Sequence, residues 1–381
     1  MSPRRTALLG FGHVAEHGHW PAWLRRDDFT VVAVADPDPA RREAARRLLP
    51  DARVFDDPTA PLTQEALDAV AIATPPALHA PLAARAARAG CHVLCEKPLA
   101  TTLTDARAAI DAARRAGVTL YTVHNWKYSE QFARSAALLG DGTIGRPTRL
   151  RLETIRNGRA PTIGRAWRDE AALAGGGILV DHGWHAFYLL LALAGEPPQR
   201  IGAVVERRRD ATAEVEDTVS CEIEFPSLRG EIFLTWAGAG RATRWLIEGS
   251  AGRLALADDH GELVRGDERR ELTFARSLSE GSHHPDWFGA VLDDFVTEIE
   301  DPAYRGRNLA EAERCLLLTS LAYESAAQGG RPLPVPPLEG GAPACGPKPS
   351  ADGPSPPRRG EAAPDRDAPP RGRALPESGI R

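Results

Sequence analysis

Apolar positions along this chain fall into two regimes. In the first 125 residues, short apolar runs at Thr6–Leu9, Phe29–Ala35, Ala69–Ala73, His92–Leu94 and Leu120–Val123 predict buried strands. Amphipathic stretches rich in arginine and alanine lie between them, at Pro39–Leu49, Ala77–Ala89 and Thr104–Ala116, and predict helices. Gly90 and Gly117 stand just past two of these helices, where a left-handed cap is wanted. Strands that alternate with helices predict a parallel sheet covered on both faces.

From about Ile144 the period changes. Arg149–Arg156, Ile201–Arg207, Thr218–Phe225, Gly230–Trp236, Arg244–Glu248 and Arg253–Leu256 read as strands joined by turns. Several alternate apolar and polar residues, as an antiparallel sheet with one open face does. A helix around Ile178–Ala194 interrupts them, and two more follow, around Trp287–Glu300 and Leu309–Gln328. The pattern predicts an α/β domain of the Rossmann type, with strands and helices alternating, over 1–125, then an α+β domain with a large open, mainly antiparallel sheet over 126–331.

Residues 332–381 break both patterns. Fourteen of these 50 residues are proline and none is aromatic, so the stretch has too little apolar surface to offset its ordering entropy. It is predicted to be a disordered tail.

Composition narrows the class. The net charge is -5 and no basic stripe occurs, which argues against nucleic acid as a partner. No apolar run is read as reaching the roughly 18 residues of a membrane helix, and the arginines at the start are read as leading into the first strand rather than as a targeting signal. The five cysteines are scattered without a disulfide or zinc spacing, which predicts a cytoplasmic protein with no metal site.

The turn Gly10-Phe11-Gly12-His13-Val14-Ala15 follows a predicted strand and opens a helix, which makes it a dinucleotide fingerprint in its proper context. Gly10, Phe11, Gly12, His13 and Val14 are therefore candidate cofactor contacts. Asp36, at the end of the next strand, is placed to accept hydrogen bonds from ribose hydroxyls; it also has the alternative of capping the following helix. A carboxylate there repels a 2′-phosphate, so NAD is predicted, with NADP as the alternative that nearby Arg41 and Arg42 leave open. Thr74 and Pro75, in the loop after Ala69–Ala73, and His79 in the following helix, complete the predicted cofactor side.

Chemistry is predicted around a rare residue type. Of 47 basic side chains only Lys97, Lys127 and Lys348 are lysine. Lysine is a compact donor suited to proton chemistry, which arginine is not. Lys97 stands in Cys95-Glu96-Lys97-Pro98, directly after a strand. Gly175-Gly176-Gly177 precedes a segment in which Asp181 and His185 are four apart, hence on one helix face. Lys97, Asp181 and His185 suit alcohol–ketone interconversion coupled to hydride transfer. His185 is assigned the base role, with an ordinary pKa of ~6.5, and an exchange of roles with Lys97 stays open. Arg156, Arg159, Arg165 and Arg168 are read either as a reader of an acidic group or as a solvated loop.

With these pieces placed, the chain resembles the glucose–fructose oxidoreductase / inositol dehydrogenase / MocA family over about residues 4–330. The resemblance rests on Gly10–Ala15, Glu96-Lys97-Pro98, the turn Gly142–Gly145 and Gly175 through His185. It implies a sugar or cyclitol oxidoreductase that uses NAD(P) and forms a homodimer or homotetramer through the open sheet. It further implies that Lys97 touches both cofactor and substrate, that Asp181 and His185 bind and act on the substrate, and that Glu96, Asn125 and Arg168 lie at the cofactor. Lys127, Trp167 and His182 are implied substrate contacts, Lys127 standing where the family more often has arginine. An NAD-dependent glycosidase, a permanently bound cofactor and a non-catalytic NAD-binding regulator are the competing readings.

Overall fold

Two sheets carry the chain. The computed structural model describes residues 2–160, 166–280 and 284–338. The first sheet has six parallel strands: β1 (Arg4–Leu9), β2 (Phe29–Ala35), β3 (Arg53–Phe55), β4 (Ala69–Ile72), β5 (His92–Cys95) and β6 (Leu120–Thr122), in the order β3-β2-β1-β4-β5-β6. Its apolar runs are continuous because helices cover both faces. Ala7, Leu9, Val70 and Ile72 are buried with the helices α2 (His79–Arg88) and α3 (Leu103–Ala116), while Leu8 and Val34 lie in a second cluster that includes Ala44 and Ala45 of α1 (Pro39–Leu48). Gly117 ends α3 with φ 70°, and Gly90 follows α2 with φ 84°.

The second sheet has nine strands, in the order β14-β13-β12-β11-β7-β10-β9-β8-β15. They are β7 (Pro147–Asn157), β8 (Arg200–Glu206), β9 (Thr218–Glu224), β10 (Arg229–Thr235), β11 (Ala237–Gly249), β12 (Arg253–Ala257), β13 (His260–Arg265), β14 (Glu268–Thr273) and β15 (Leu333–Pro334). Only the β7–β10 pair is parallel. In β9, Val219, Cys221 and Ile223 are buried and alternate with exposed Ser220, Glu222 and Glu224. The inner face packs on α5 (Trp184–Ala194), which is buried from Trp184 through Leu193. Ala171–Ala194 does reach the length and apolarity of a membrane span, unlike the sequence reading, and 78% of that window is buried inside the protein, as in a core element.

The last helices return to the first sheet. Phe288, Val291, Leu292 and Phe295 of α6 (Pro285–Glu300) share a core with Leu8, Phe11 and Phe29. Asn308 of α7 (Arg307–Ala327) brackets Thr122 of β6, accepting from its amide at 2.6 Å and donating to its carbonyl at 2.9 Å.

Four departures from the sequence reading have physical causes. The strand Arg53–Phe55 is three residues, one exposed and two half-buried, too short to show a period. Glu268–Thr273 has no buried residue, so no alternation marks it. A helix α4 (Glu130–Gly140), capped by the Ser129 side chain, precedes the second sheet. Leu333 and Pro334 pair with Ile201 and Arg200 of β8, so the start of the Pro-rich stretch is part of the sheet; residues 339–381 lie outside the described residues.

Candidate active site

The dinucleotide turn is built by close approach. Gly10 has φ 88°, and a Cβ there would sit 2.7 Å from the Ala73 carbonyl. Gly12 differs, because a Cβ there would meet nothing within 4 Å and would instead project into open space beside the turn. Asp36 braces the turn, accepting from the amides of Phe11 (2.8 Å) and Asp38 (2.9 Å). Helix capping falls to Asp38, which accepts from the Ala40 amide at 2.7 Å. Arg41 is occupied by the Phe11 carbonyl and Glu16, and Arg42 by the carbonyls of Asp36 and Pro37. Both arginines thus already have partners at the turn, and the Asp36 carboxylate at the cavity repels a 2′-phosphate, which favours NAD.

These residues open onto a cavity of ≈ 600 Å³, a size suited to a small-molecule ligand. Gly10, Gly12, His13, Val14, Asp36 and Thr74 line one end, with Pro75 beside them. The Thr74 hydroxyl is buried there without a hydrogen-bond partner. An open position at Gly12, an orphaned Thr74 hydroxyl and a carboxylate at Asp36 fit a dinucleotide, with its pyrophosphate at the turn and its ribose at Asp36.

Phe11 corrects the sequence reading. Its ring is fully buried in the core, and its backbone groups are taken by Asp36 and Arg41, so it shapes the turn without facing the cavity. His79, unlike Phe11, does line the cavity, and it also braces it: its two ring nitrogens meet the carbonyls of Pro98 (2.6 Å) and Thr74 (2.7 Å), which ties two cavity loops together. Glu96 lines the cavity, as predicted, and contacts His19 at 2.8 Å. Asn125, just after β6, lines the cavity as predicted.

The far end of the cavity holds the chemistry. Lys97 follows β5, and its peptide bond to Pro98 is cis. Its ammonium donates to the Asp181 carboxylate at 2.6 Å and to the Asp181 carbonyl at 2.8 Å. Burial opposes ionisation of Asp181, but Lys97 above all, then His182 and Arg168, outweigh it and hold the carboxyl far below its ordinary range.

The triple-glycine segment is held by Glu216. That carboxylate accepts from the amides of Gly177 and Leu179, both at 2.9 Å, and from the Tyr323 hydroxyl at 2.9 Å. A Cβ on Gly177 would fall 1.9 Å from the Glu216 carbonyl. The chain then makes a π-turn, Leu179–Gly183, before α5 begins. Asp181 and His185 are therefore not one regular α-turn apart, as their spacing implies, although both line the cavity.

His185 stacks on Trp126, with ring centroids 5.2 Å apart. Its Nδ1 lies 2.7 Å from the Tyr188 hydroxyl, whose oxygen accepts from the Trp126 amide at 3.0 Å. Nε2 is thus the nitrogen left for a substrate. Burial, then Lys97 and His182, push the His185 pKa well below 6.5, so the ring is neutral at ordinary pH, which corrects the unshifted value assumed from sequence. His182 is pushed down to about 3, chiefly by burial.

The wall facing this end comes from three distant segments. Arg156 of β7, Trp236 and Arg241 of β11 and the adjoining bend, and His284 join Trp167 and Arg168 around it. Arg159 pairs instead with Asp169, and Arg165 lies outside the described residues. Trp236, Arg241 and His284 were missed in the sequence, where nothing marks them.

Lys127 corrects a second expectation. It is not on the cavity wall; it forms an ion pair with Glu311, which also takes His124 at 2.6 Å. Burial raises the Glu311 pKa, but Lys127 and His124 together bring it down to about 2.

Comparison with known proteins fits this geometry. Residues 4–124 match the oxidoreductase family, NAD-binding Rossmann fold, and residues 132–255 match the GFO/IDH/MocA C-terminal domain. The chain belongs to the GFO/IDH/MocA oxidoreductases. D-glucoside 3-dehydrogenase of Escherichia coli K12 is 31% identical over 59% of this chain and 67% of its own. dTDP-3,4-didehydro-2,6-dideoxy-alpha-D-glucose 3-reductase of Streptomyces antibioticus is 32% identical over 82% of this chain and 94% of its own. The fold also matches levoglucosan dehydrogenase in complex with NADH and L-sorbose, with TM-score 0.76, 22% identity, and coverage of 89% of this chain and 100% of that one. This oxidoreductase is accordingly an NAD-binding enzyme whose relatives are sugar and cyclitol dehydrogenases and reductases.

Proposed function

We propose that the oxidoreductase interconverts a secondary hydroxyl and a ketone on a sugar-like ring, with His185 moving the proton and Lys97 stabilising the oxygen. The observation that carries this is the Lys97 ammonium fixed on Asp181 in the same cavity as His185, whose Nδ1 is already engaged by Tyr188. The names of the two relatives above place their chemistry at ring position 3, which supports a ring carbon as the reacting centre.

The Gly10–Val14 turn, Asp36, Thr74, Pro75 and Asn125 would hold NAD, which when bound would supply the hydride acceptor. In the oxidation direction, the substrate hydroxyl gives its proton to His185 Nε2 while the carbon loses hydride. This requires Nδ1–H to donate to the Tyr188 oxygen. Lys97 offsets the negative charge developing on the substrate oxygen, and Asp181 keeps Lys97 charged and aimed. In the reverse direction His185 returns the proton.

The four described cysteines are free and buried, which supports a cytoplasmic setting. The outer face of the nine-stranded sheet supports assembly into a homo-oligomer: it mixes ion pairs such as Arg149–Glu231 with half-buried Phe233 and Leu246. The deciding experiment follows absorbance at 340 nm with NAD and NADP across neutral sugars, sugar acids and inositols. NADH formation that disappears in Lys97→Met and His185→Ala is the expected result, and wild-type rates in both variants overturn the assignment.

A further inference from the structure

One buried charge in the cavity has no ion-pair partner among the described residues. Arg156 is 3% exposed. Its guanidinium donates to the carbonyls of Ile155 (2.8 Å) and Ala242 (2.9 Å) and to the Thr243 hydroxyl (3.0 Å). Among the described residues it forms no ion pair. Asp258 and Asp181 attract it only from a distance, and burial, followed by repulsion from Arg241, brings its pKa down to about 10. Burying a guanidinium without a partner is costly, and proteins keep such an arrangement where something else supplies the charge.

Other cationic side chains stand around it; Arg241 also donates to the Ser279 carbonyl at 3.2 Å. Arg241 and Arg168 line the same cavity, as do His182 and His284. Arg168 has a buried Nε, and His182 a buried Nδ1, without hydrogen-bond partners. The carboxylate at this end, Asp181, is already neutralised by Lys97. Arg168 acts on His13 as well as Asp181, so it is shared with the cofactor end. Arg156 and Arg241, on neighbouring β-strand segments across from Asp181, belong to the substrate end.

We propose that Arg156 and Arg241 form a seat for an anionic group on the substrate, a carboxylate or a phosphate, so that the preferred substrate is an acidic sugar derivative rather than a neutral sugar. The guanidinium fork matches the paired oxygens of either group, and such charge-assisted bonds are the strong ones. The proposal rests on the dehydrogenase reading for the identity of the rest of the ligand, but the seat itself follows from the unpaired charge.

The test is binding, measured by calorimetry on the full chain saturated with NAD, at fixed ionic strength. The probes are glucuronate, glucose 6-phosphate and glucose; the first two distinguish carboxylate from phosphate. At least one anionic probe is expected to bind about tenfold or more tighter than glucose, the worth of one charged hydrogen bond. Arg156→Gln and Arg241→Gln are each expected to remove most of that advantage while NAD affinity stays unchanged. Arg241 is exposed at the cavity edge, so its variant keeps the test open should Arg156→Gln not fold. Glucose binding as tightly as both anions, no binding of either anion, or an advantage that persists in Arg241→Gln overturns the proposal. NADH formed faster from neutral sugars also overturns it and leaves the dehydrogenase reading standing, whereas tight anion binding without NADH from any sugar sinks the dehydrogenase reading alone.

Discussion

Lys97 and Lys127 make an instructive pair. Apart from Lys348, every other basic side chain is arginine, and both lysines end in an ion pair with a carboxylate, Asp181 for one and Glu311 for the other. Lys97 spends its ammonium at the wall of a cavity, where a substrate oxygen can join it. Lys127 spends its charge away from the cavity, against Glu311, which also holds His124, and over the face of Tyr188. Rarity of a residue type therefore marks places where a point charge is needed, and says nothing of whether the need is chemical or structural.

Substitution at each site separates the two needs. Lys97→Met is expected to lower kcat/KM by roughly 10²–10⁴-fold, since a charge placed at a developing oxyanion and proton-transfer assistance each contribute on that scale. Far-ultraviolet circular dichroism should show the fold intact; wild-type turnover would erase the distinction. Lys127→Met should do the reverse, keeping turnover within about threefold while destabilising the fold by roughly 3 kcal/mol, because Glu311 is left buried with only His124. Urea unfolding measures this, and a catalytic collapse without loss of stability would return Lys127 to the active site.

Tyr188 connects the two regions, and its hydroxyl holds His185 Nδ1. Tyr188→Phe is expected to lower kcat about tenfold with little change in KM for NAD, in keeping with the loss of one orienting hydrogen bond. A merely structural role would leave the pH profile alone, whereas a positioning role shifts its acidic limb.

That limb is the next sharpening. Protonated His185 cannot take a proton, and burial together with Lys97 depresses its pKa, so oxidation should persist to well below pH 6.5. In Lys97→Met the residual activity should lose its acidic side at higher pH, because one source of the depression is gone. Coincident limbs in the two proteins would contradict this electrostatic account. On the other side, Glu311 has its pKa lowered from 4.5 to about 2, so its contribution to stability is present above pH 4.5 and is lost as pH falls towards 2. Lys127→Met should flatten that part of the melting-temperature profile, the smallest effect of the set.

The sequence made the parallel sheet and the Gly10–Ala15 turn legible because both obey local rules: continuous apolar runs, and a glycine at position 10, where only glycine fits. Lys97, Asp181 and His185 were named from their neighbours and from family resemblance, and all three face one cavity. Other features were hidden for identifiable reasons. The π-turn at Leu179–Gly183 keeps helical composition while changing the angular spacing, so a 3.6-residue period misplaces what it carries. The wall of Arg156, Arg241 and His284 is assembled from segments as many as 128 positions apart in the numbering, and no local pattern links them. Phe11 and Lys127 were misread because a motif position fixes the backbone and leaves the side chain free to face elsewhere.

The short strand Leu333–Pro334 carries a consequence of another kind. Along β8 it occupies the place where a foreign strand would otherwise find a row of free amides and carbonyls, and Val335 extends the contact by donating to the Gln199 carbonyl at 2.8 Å. Only two residues long and ending in a residue without an N–H, β15 is a poor template for further strand addition. It shields this margin of a nine-stranded sheet from edge-to-edge aggregation.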